Sequence, residues 1–546
     1  MPRKVVQGPT TDTPSEPFRT SSVLVVSLGS RNLRIGLASN YLPKTMPHAI
    51  ARRRRQRQTQ TQKEELRDDL SETQILALNG ARHALQLMRM GLRRTNVSQD
   101  QIKRFNEKVI PQQTMEPSPS EWSDVNENPP FLTGQSALDI SPDEPYDLFW
   151  PIQRGRLARA SERLFCELET LWRSAIVQST NIDPQNFKDY QVVIVVPDSF
   201  SRNNLKTVMT VMLSRLHFAA ALIQQESACT AYGAGVPTAC IVDVGDEKTS
   251  VCCIEDGIVN PASRFILNYG GRDITDVLYQ LMKQASFPYA ACDVSNPFDA
   301  ALLNSLKEAH CYLEMELYGI KSYNFDVECP GKRVVAYQMQ LLDEVCLAPL
   351  AVFYPDLFPR VNDEELPANQ YDSEDLLDDP YLTEPTGSKA ARVGGGGLSS
   401  MTPSPMPTEE GVSMAVKHAM HESTKVSFPK TLLPLDAAIQ TSIDTFPGDD
   451  VKRRLYGCIL LVGGGLTFPG AAQVVQSRLQ ARLPHHFQLN QVEVIAKPKD
   501  LDPMLVSWKG GAILSCLDSA RDLWIGHAEW ATCGIRILRE KCPFIW

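Results

Sequence analysis

Apolar and polar positions fall into short, punctuated blocks along this chain. The stretch "VLVVSLGSRNLRIGLAS" at 23–39 predicts a buried strand, a tight glycine turn and a second strand, the shape of a loop that cradles phosphate. From about Thr73, "TQILALNGARHALQLMRMGL" carries its apolar residues at helical spacing, as does "RASERLFCELETLWRSAI", and "QVVIVVP" reads as a buried strand. The opening grammar then returns in "ACIVDVGDEKTSVCCIEDGIV" at 239–259, and the two turns align as Ser27-Leu28-Gly29-Ser30 and Asp243-Val244-Gly245-Asp246. A pattern used twice, each time at the start of a mixed strand and helix region, points to two similar lobes whose loops face one cleft; on the turns alone, a chance match of short hairpins is the alternative. A third element favours the cleft. "ILLVGGGLTFPGAAQVVQSRLQARL" at 459–483 is a strand ending in Gly463, Gly464 and Gly465, followed by a helix opened near Pro469. Glycines at a strand end let backbone approach a flat or anionic ligand, and a helix start offers N–H groups. "NYGGRDITDVLYQLM" at 268–282 is a further glycine turn running into a helix.

At 546 residues the chain exceeds one compact core, so roughly two to four domains are expected. Its 43% hydrophobic and 22% charged content is that of a soluble protein. Runs such as "VVIVV" and "CILLV" fall far short of the roughly 20 residues that span a bilayer, and "MPRKVVQGPTTDTPSEPF" has no apolar secretory core, so an intracellular location is expected. The thirteen cysteines lie mostly in apolar segments without metal-site spacing and read as reduced core residues, Cys252 and Cys253 among them; His485-His486 reads as a solvated turn. The net charge of −9 hides local asymmetry: "ARRRRQRQTQTQK" at 51–63 is basic and "NDEELPANQYDSEDLLDDPYLTE" at 362–384 is acidic. Residues 1–20 are expected to be a flexible tail, the Pro, Glu and Asn-rich stretch 111–130 has few apolar groups to bury, and 355–430 reads as an insertion out of the second lobe.

In this order the pieces resemble the actin family over most of 21–260, then 261–354 and 431–546. "VSLGSRNLRIG" resembles the first phosphate loop and "VDVGDEKTS" the second, while "YGGRDITDVL", "LKEAHCYL", "VGGGLTFPG" and "WKGGAILSCL" resemble the elements around adenosine and the C-terminal helix turn. The resemblance implies an α/β actin-like fold of duplicated, ribonuclease H-like lobes with a nucleotide cleft. The first lobe would comprise 21–233 and 506–546, with an insertion at about 42–130, and the second 234–505, with the insertion at about 355–430. It further implies ATP or ADP, with Mg²⁺, between the lobes. Carried over by position, Ser27, Gly29, Ser30 and Arg34 belong to the first phosphate loop, Arg34 standing where the family has lysine; Gly245 and Asp246 approach from the second, with Asp243 ordering the metal's waters. Gly271, Lys307, Glu308, Gly463, Gly464, Gly465 and Phe468 would surround the nucleoside.

The departures matter as much. Ser27 replaces an aspartate that helps fix hydrated magnesium, Glu226 stands where actin has the glutamine that orients attacking water, Ser250 replaces a histidine, and Glu247 replaces a glycine and is expected to repel phosphates. Hydrolysis requires positioned water and neutralised charge, so slow or absent turnover is expected, with Glu226 as a general base the opposing reading. The enlarged region after the first hairpin and the acidic insertion argue against actin-type filaments. "HAIARR", "DLFWPIQRGRL" and "RILREKCPFIW" resemble the nuclear actin-related proteins. That resemblance implies a nuclear scaffold subunit of an Ino-eighty-class chromatin remodeller, seated with actin and another actin-related protein on the motor subunit and engaging histones or linker DNA. Arg52, Arg53, Arg54, Arg55 and Arg57 are open to three readings: a DNA phosphate contact, an import signal or a solvated loop. The acidic stretch, with Asp372, Glu374, Asp375, Asp378 and Asp379, is either a histone lure or a spacer. The alternative class is an active ATPase or kinase of the sugar-kinase and chaperone superfamily, which would need an acceptor site with a catalytic aspartate, for which the sequence offers no convincing candidate.

Overall fold

The structure, a computed structural model, describes residues 20–54, 70–90, 99–158, 160–359, 432–484, 487 and 491–543. The tail 1–19, Arg55, Arg57, the acidic run, His485 and His486 lie outside the described residues.

The uninterrupted apolar runs become central strands. Val23–Leu28 lies parallel to Gln191–Val196, which lies parallel to Ala220–Gln225, and Asn32–Leu37, Lys44–Pro47 and Ile525–Gly526 complete a six-stranded sheet. Such strands lack alternation because both faces are covered. Leu168, Leu171 and Trp172 of helix Glu162–Thr180 share one buried cluster with Leu24 and Ile194, while Trp508 and Ala512 of helix Val506–Leu514 share another with Val25 and Val193. A second six-stranded sheet pairs Ala239–Val244 in parallel with Ile459–Val462 and antiparallel with Thr249–Glu255, flanked by Ile258–Val259, Phe265–Leu267 and Val494–Ile495. Cys252 and Cys253 are buried in it.

The two opening hairpins have the same register. Ser27 faces Arg34 and Leu28 faces Leu33 in the first; Asp243 faces Ser250 and Val244 faces Thr249 in the second. The turns close alike, with Gly29 N–H donating to Asn32 O at 3.1 Å and Gly245 N–H to Lys248 O at 2.8 Å. The repeated pattern is therefore a repeated structure.

The region after the first hairpin is folded where it is described. Ser71 caps helix Glu72–Met88, its hydroxyl accepting from Gln74 N–H while the Gln74 side chain accepts from Ser71 N–H. Helix Gln99–Glu107 follows, then strand Gln112–Pro117. That strand corrects the expectation for 111–130: it pairs antiparallel with Arg333–Leu341, itself paired with Lys321–Val327. A backbone ladder needs no apolar side chains, so "QQTMEP" docks where hydropathy predicts nothing. The chain leaves a three-stranded sheet at Ile50–Arg53 and returns to it at Phe131–Thr133, so the excursion between them straps that sheet to the one at 321–341.

Candidate functional site

Three glycine-bearing turns converge because their backbones touch. Gly465 N–H donates to Val244 O at 2.8 Å, Gly271 N–H to Gly245 O at 2.9 Å and Arg272 N–H to Asp246 O at 2.8 Å. At Gly463, with φ +85°, a Cβ would lie 2.3 Å from Val244 O and 2.4 Å from Asp243 Oδ1. No side chain fits there, so glycine at 463 is a condition of closure. The pocket between the turns is lined by Ser27, Gly29, Ser30, Arg34, Glu226, Asp243, Gly245, Asp246, Gly271, Lys307, Glu308, Gly463, Gly464 and Gly465, which the sequence singled out. Phe468 is not brought there. It is buried outside the pocket lining, and at the start of helix Ala471–Arg482 Gly470 lies against Leu313 and Glu314 and Pro469 O accepts from Leu313 N–H at 2.6 Å.

The pocket's charges are arranged for an anion against an acidic floor. Arg34 Nε is buried with no hydrogen-bond partner among the described residues. Burial lowers its pKa, and the nearby Asp243 and Asp502 oppose that. Asp243 is pushed up to about 7, first by burial and then by Glu226, with Lys248 and Arg34 working the other way. Asp198, held by the Ser227 hydroxyl at 2.8 Å, is pushed up to about 6, again by burial and then by Glu226. At the far end Lys307 Nζ donates to Gly271 O at 2.9 Å and Asn304 Oδ1 at 2.8 Å; burial lowers its pKa, and Asn304 in turn donates to Glu308 at 2.6 Å.

Two residues that sequence reading missed shape the pocket. Lys248 is buried and its ammonium donates to Glu226 Oε1 and to Ser250 Oγ at 3.3 Å. The same Glu226 oxygen accepts from the Ser250 hydroxyl at 3.1 Å and from Asp198 N–H at 3.3 Å, so three donors converge on Oε1. Burial opposes the Lys248 charge, but Glu226, Asp243 and Asp198 outweigh it and raise its pKa. His48 is the other. Trp172 Nε1–H donates to His48 Nε2 at 3.0 Å, which makes Nδ1 the protonated nitrogen, and it donates to Gly29 O at 2.8 Å. The imidazole thereby braces the first turn, and burial pushes it down to about 4. No periodicity or motif signalled either role.

Glu247 corrects an expectation. Its carboxylate does not line this pocket; it accepts from Arg154 N–H at 2.9 Å and Arg272 at 2.8 Å, which hold and neutralise it. The basic block is partly engaged by carboxylates: Arg52 pairs with the buried Glu167 at 2.7 Å and Arg54 with Asp147 at the surface at 2.6 Å, while Arg53 is exposed. Among the described residues no group of three or more His, Cys, Asp or Glu side chains is placed to hold a metal ion.

The sequence profile of the actin family, described as "Actin", matches residues 19–543. The chain belongs to the actin family. Within that family it is similar to actin-related protein 8 of Danio rerio, 34% identical over 96% of this chain and 92% of the relative, and to that of Bos taurus, 34% identical over 97% and 93%. The Aedes aegypti protein of the same name is 32% identical over 97% of this chain and 99% of its own length. Among solved structures, "Human actin-related protein Arp8 in its ATP-bound state" superposes with a TM-score of 0.80 at 32% identity, covering 99% of this chain and 100% of that one. The expected α/β actin fold and the resemblance to the actin-related proteins are thus borne out as family and fold.

Proposed function

We propose that this chain holds ATP, or ADP, between lobes comprising 21–233 with 506–546 and 234–505, and acts as a non-catalytic or weakly catalytic scaffold subunit of a nuclear chromatin-remodelling complex. The buried Arg34 Nε, unpartnered among the described residues and set in a glycine-lined cradle, carries the nucleotide reading, because a buried donor calls for an acceptor and phosphate supplies one. The ATP-bound state of the human relative supports it. Residues of both turns, Lys307 and Glu308 would hold the nucleotide, and Asp243 would hold magnesium through its waters. A bound metal would supply charge neutralisation on the phosphates. Weak turnover is supported by Glu226: Lys248, Ser250 and Asp198 N–H all engage its Oε1, and the ammonium beside it opposes the carboxylate's taking a proton from water.

Similarity to actin-related protein 8 supports the scaffold role, with the motor subunit, nuclear actin, another actin-related protein and histones as partners. Pairing of Arg52 with buried Glu167 leaves Arg53 and the surface-paired Arg54, with Arg55 and Arg57 outside the described residues, for any DNA contact. Thermal melting with and without ATP, beside single-turnover hydrolysis, tests the nucleotide reading: a raised midpoint with no more than trace product is expected. No shift with either nucleotide refutes binding, and rapid hydrolysis abolished by Glu226→Ala refutes the weak turnover. Purification from nuclei tests the scaffold, which fails if no motor ATPase, actin or histone co-elutes.

A further inference from the structure

Lys248 is one of three charged residues in the second turn, "GDEK", where a lysine has no evident reason to be indoors. The structure buries it all the same. Its stem passes beneath the separate turn at Gly155, φ +70°, where a Cβ would lie 2.4 Å from Lys248 Cδ and 2.7 Å from Ser199 Oγ. The bare glycine leaves room for that stem and the Ser199 hydroxyl donates to Gly155 O at 2.5 Å, so one turn fixes the course of a side chain rooted in another. The ammonium then reaches an acidic cluster: it contacts Glu226, and Asp243 and Asp198 act on it electrostatically. Glu226, Asp243 and Lys248 all line the pocket. Without Lys248 the floor would present carboxylates to any ligand, and a polyanion would be repelled in proportion to its charge.

Resting on the nucleotide reading above, we propose that Lys248 is the counter-charge that admits a triphosphate beside the buried carboxylates, and so sets the preference for ATP over ADP. Glu226 both holds the ammonium and partly offsets it, so the preference is tuned by the pair and not by the lysine alone. Calorimetric titration of ATP and ADP, each with magnesium, into full-length wild type, Lys248→Met, Glu226→Gln and the double variant tests this. Lys248→Met should weaken ATP at least tenfold more than ADP. Glu226→Gln keeps an acceptor for Ser250 and Asp198 N–H and removes the nearest of the carboxylates that offset the ammonium, so it should raise the ATP to ADP preference at least threefold. The double variant should return most of the ratio, which loss of packing alone would not do. An ATP to ADP ratio unchanged in Glu226→Gln overturns the proposal even if Lys248→Met fails to fold. A wild-type protein that binds neither nucleotide overturns the nucleotide reading and this proposal with it, whereas intact binding with unaltered ratios overturns this proposal alone.

Discussion

A neutral imidazole under a phosphate-type turn ties one residue to both pH and binding. His48 has an ordinary pKa near 6.5 when unfolded and about 4 in the fold, because burial disfavours its cation more than Gly29 O supports it. Between those values the unfolded chain binds more protons, so stability rises with pH across that window and is lost as pH falls from 6.5 toward 4. The separation corresponds to about 3 kcal/mol for this group. Protonation would also put a hydrogen on Nε2, facing the Trp172 indole donor. Chemical denaturation at pH 7 and pH 5 should show the loss in wild type and a smaller loss in His48→Gln, whose side chain does not titrate. Equal losses would mean that other groups dominate the acid response.

Among elements, the triglycine makes a sharper claim because its members differ. Gly463 combines φ +85° with a Cβ position 2.3 Å from Val244 O, whereas a Cβ on Gly464 would meet only the flexible Met504 side chain, nearest at 3.0 Å. Gly463→Ala should therefore cost on the order of 2–4 kcal/mol and abolish nucleotide-induced stabilisation, while Gly464→Ala stays within about 1 kcal/mol of wild type. Melting curves of both variants with and without ATP check this, and similar behaviour of the two would show that the turns need not touch there. These elements were legible in the sequence because each is local: an apolar run, then a glycine, then another run or a helix. Lys248, Phe468 and strand Gln112–Pro117 were not, and for one physical reason. Burial of Lys248 depends on the turn at Gly155, the course of the helix after Phe468 depends on Leu313 and Glu314, and the strand pairs through its backbone with residues some two hundred positions away. Composition near a residue says little about a partner that only the fold delivers.

Across the whole molecule, the excursion between Ile50–Arg53 and Phe131–Thr133 bears on release of a ligand from the pocket, a prediction its contacts make testable. A second cavity of about 570 Å³ shares Ser30, Arg31, Asn32, Asp246 and Asn304 with the candidate nucleotide pocket; Met46, Leu138 and Trp150 line it from one side, and Arg272, Thr275 and Phe298 from the other. The strap passes beside it, with Ser120 in its lining and Trp122 edge-on to Phe298 at 4.9 Å. Its anchor is buried Asn106, whose amide donates to Ala285 O at 2.8 Å and Gln340 O at 3.0 Å and accepts from Gln340 N–H at 2.7 Å. That anchor joins the strap to the elements at Ala285 and Gln340. Asn106→Leu would leave Gln340 N–H and two carbonyls without their partner, a cost of about 2–3 kcal/mol. If those contacts are broken in the open state but not the closed one, the same figure corresponds to release faster by roughly 30-fold or more, since about 1.4 kcal/mol is tenfold. Chasing a fluorescent ATP analogue with unlabelled ATP measures that rate directly. Faster release in a variant whose affinity falls in step, and whose association rate changes little, is the expected result. Unchanged release in a folded Asn106→Leu protein would show that ligand escapes by a path the strap does not cross.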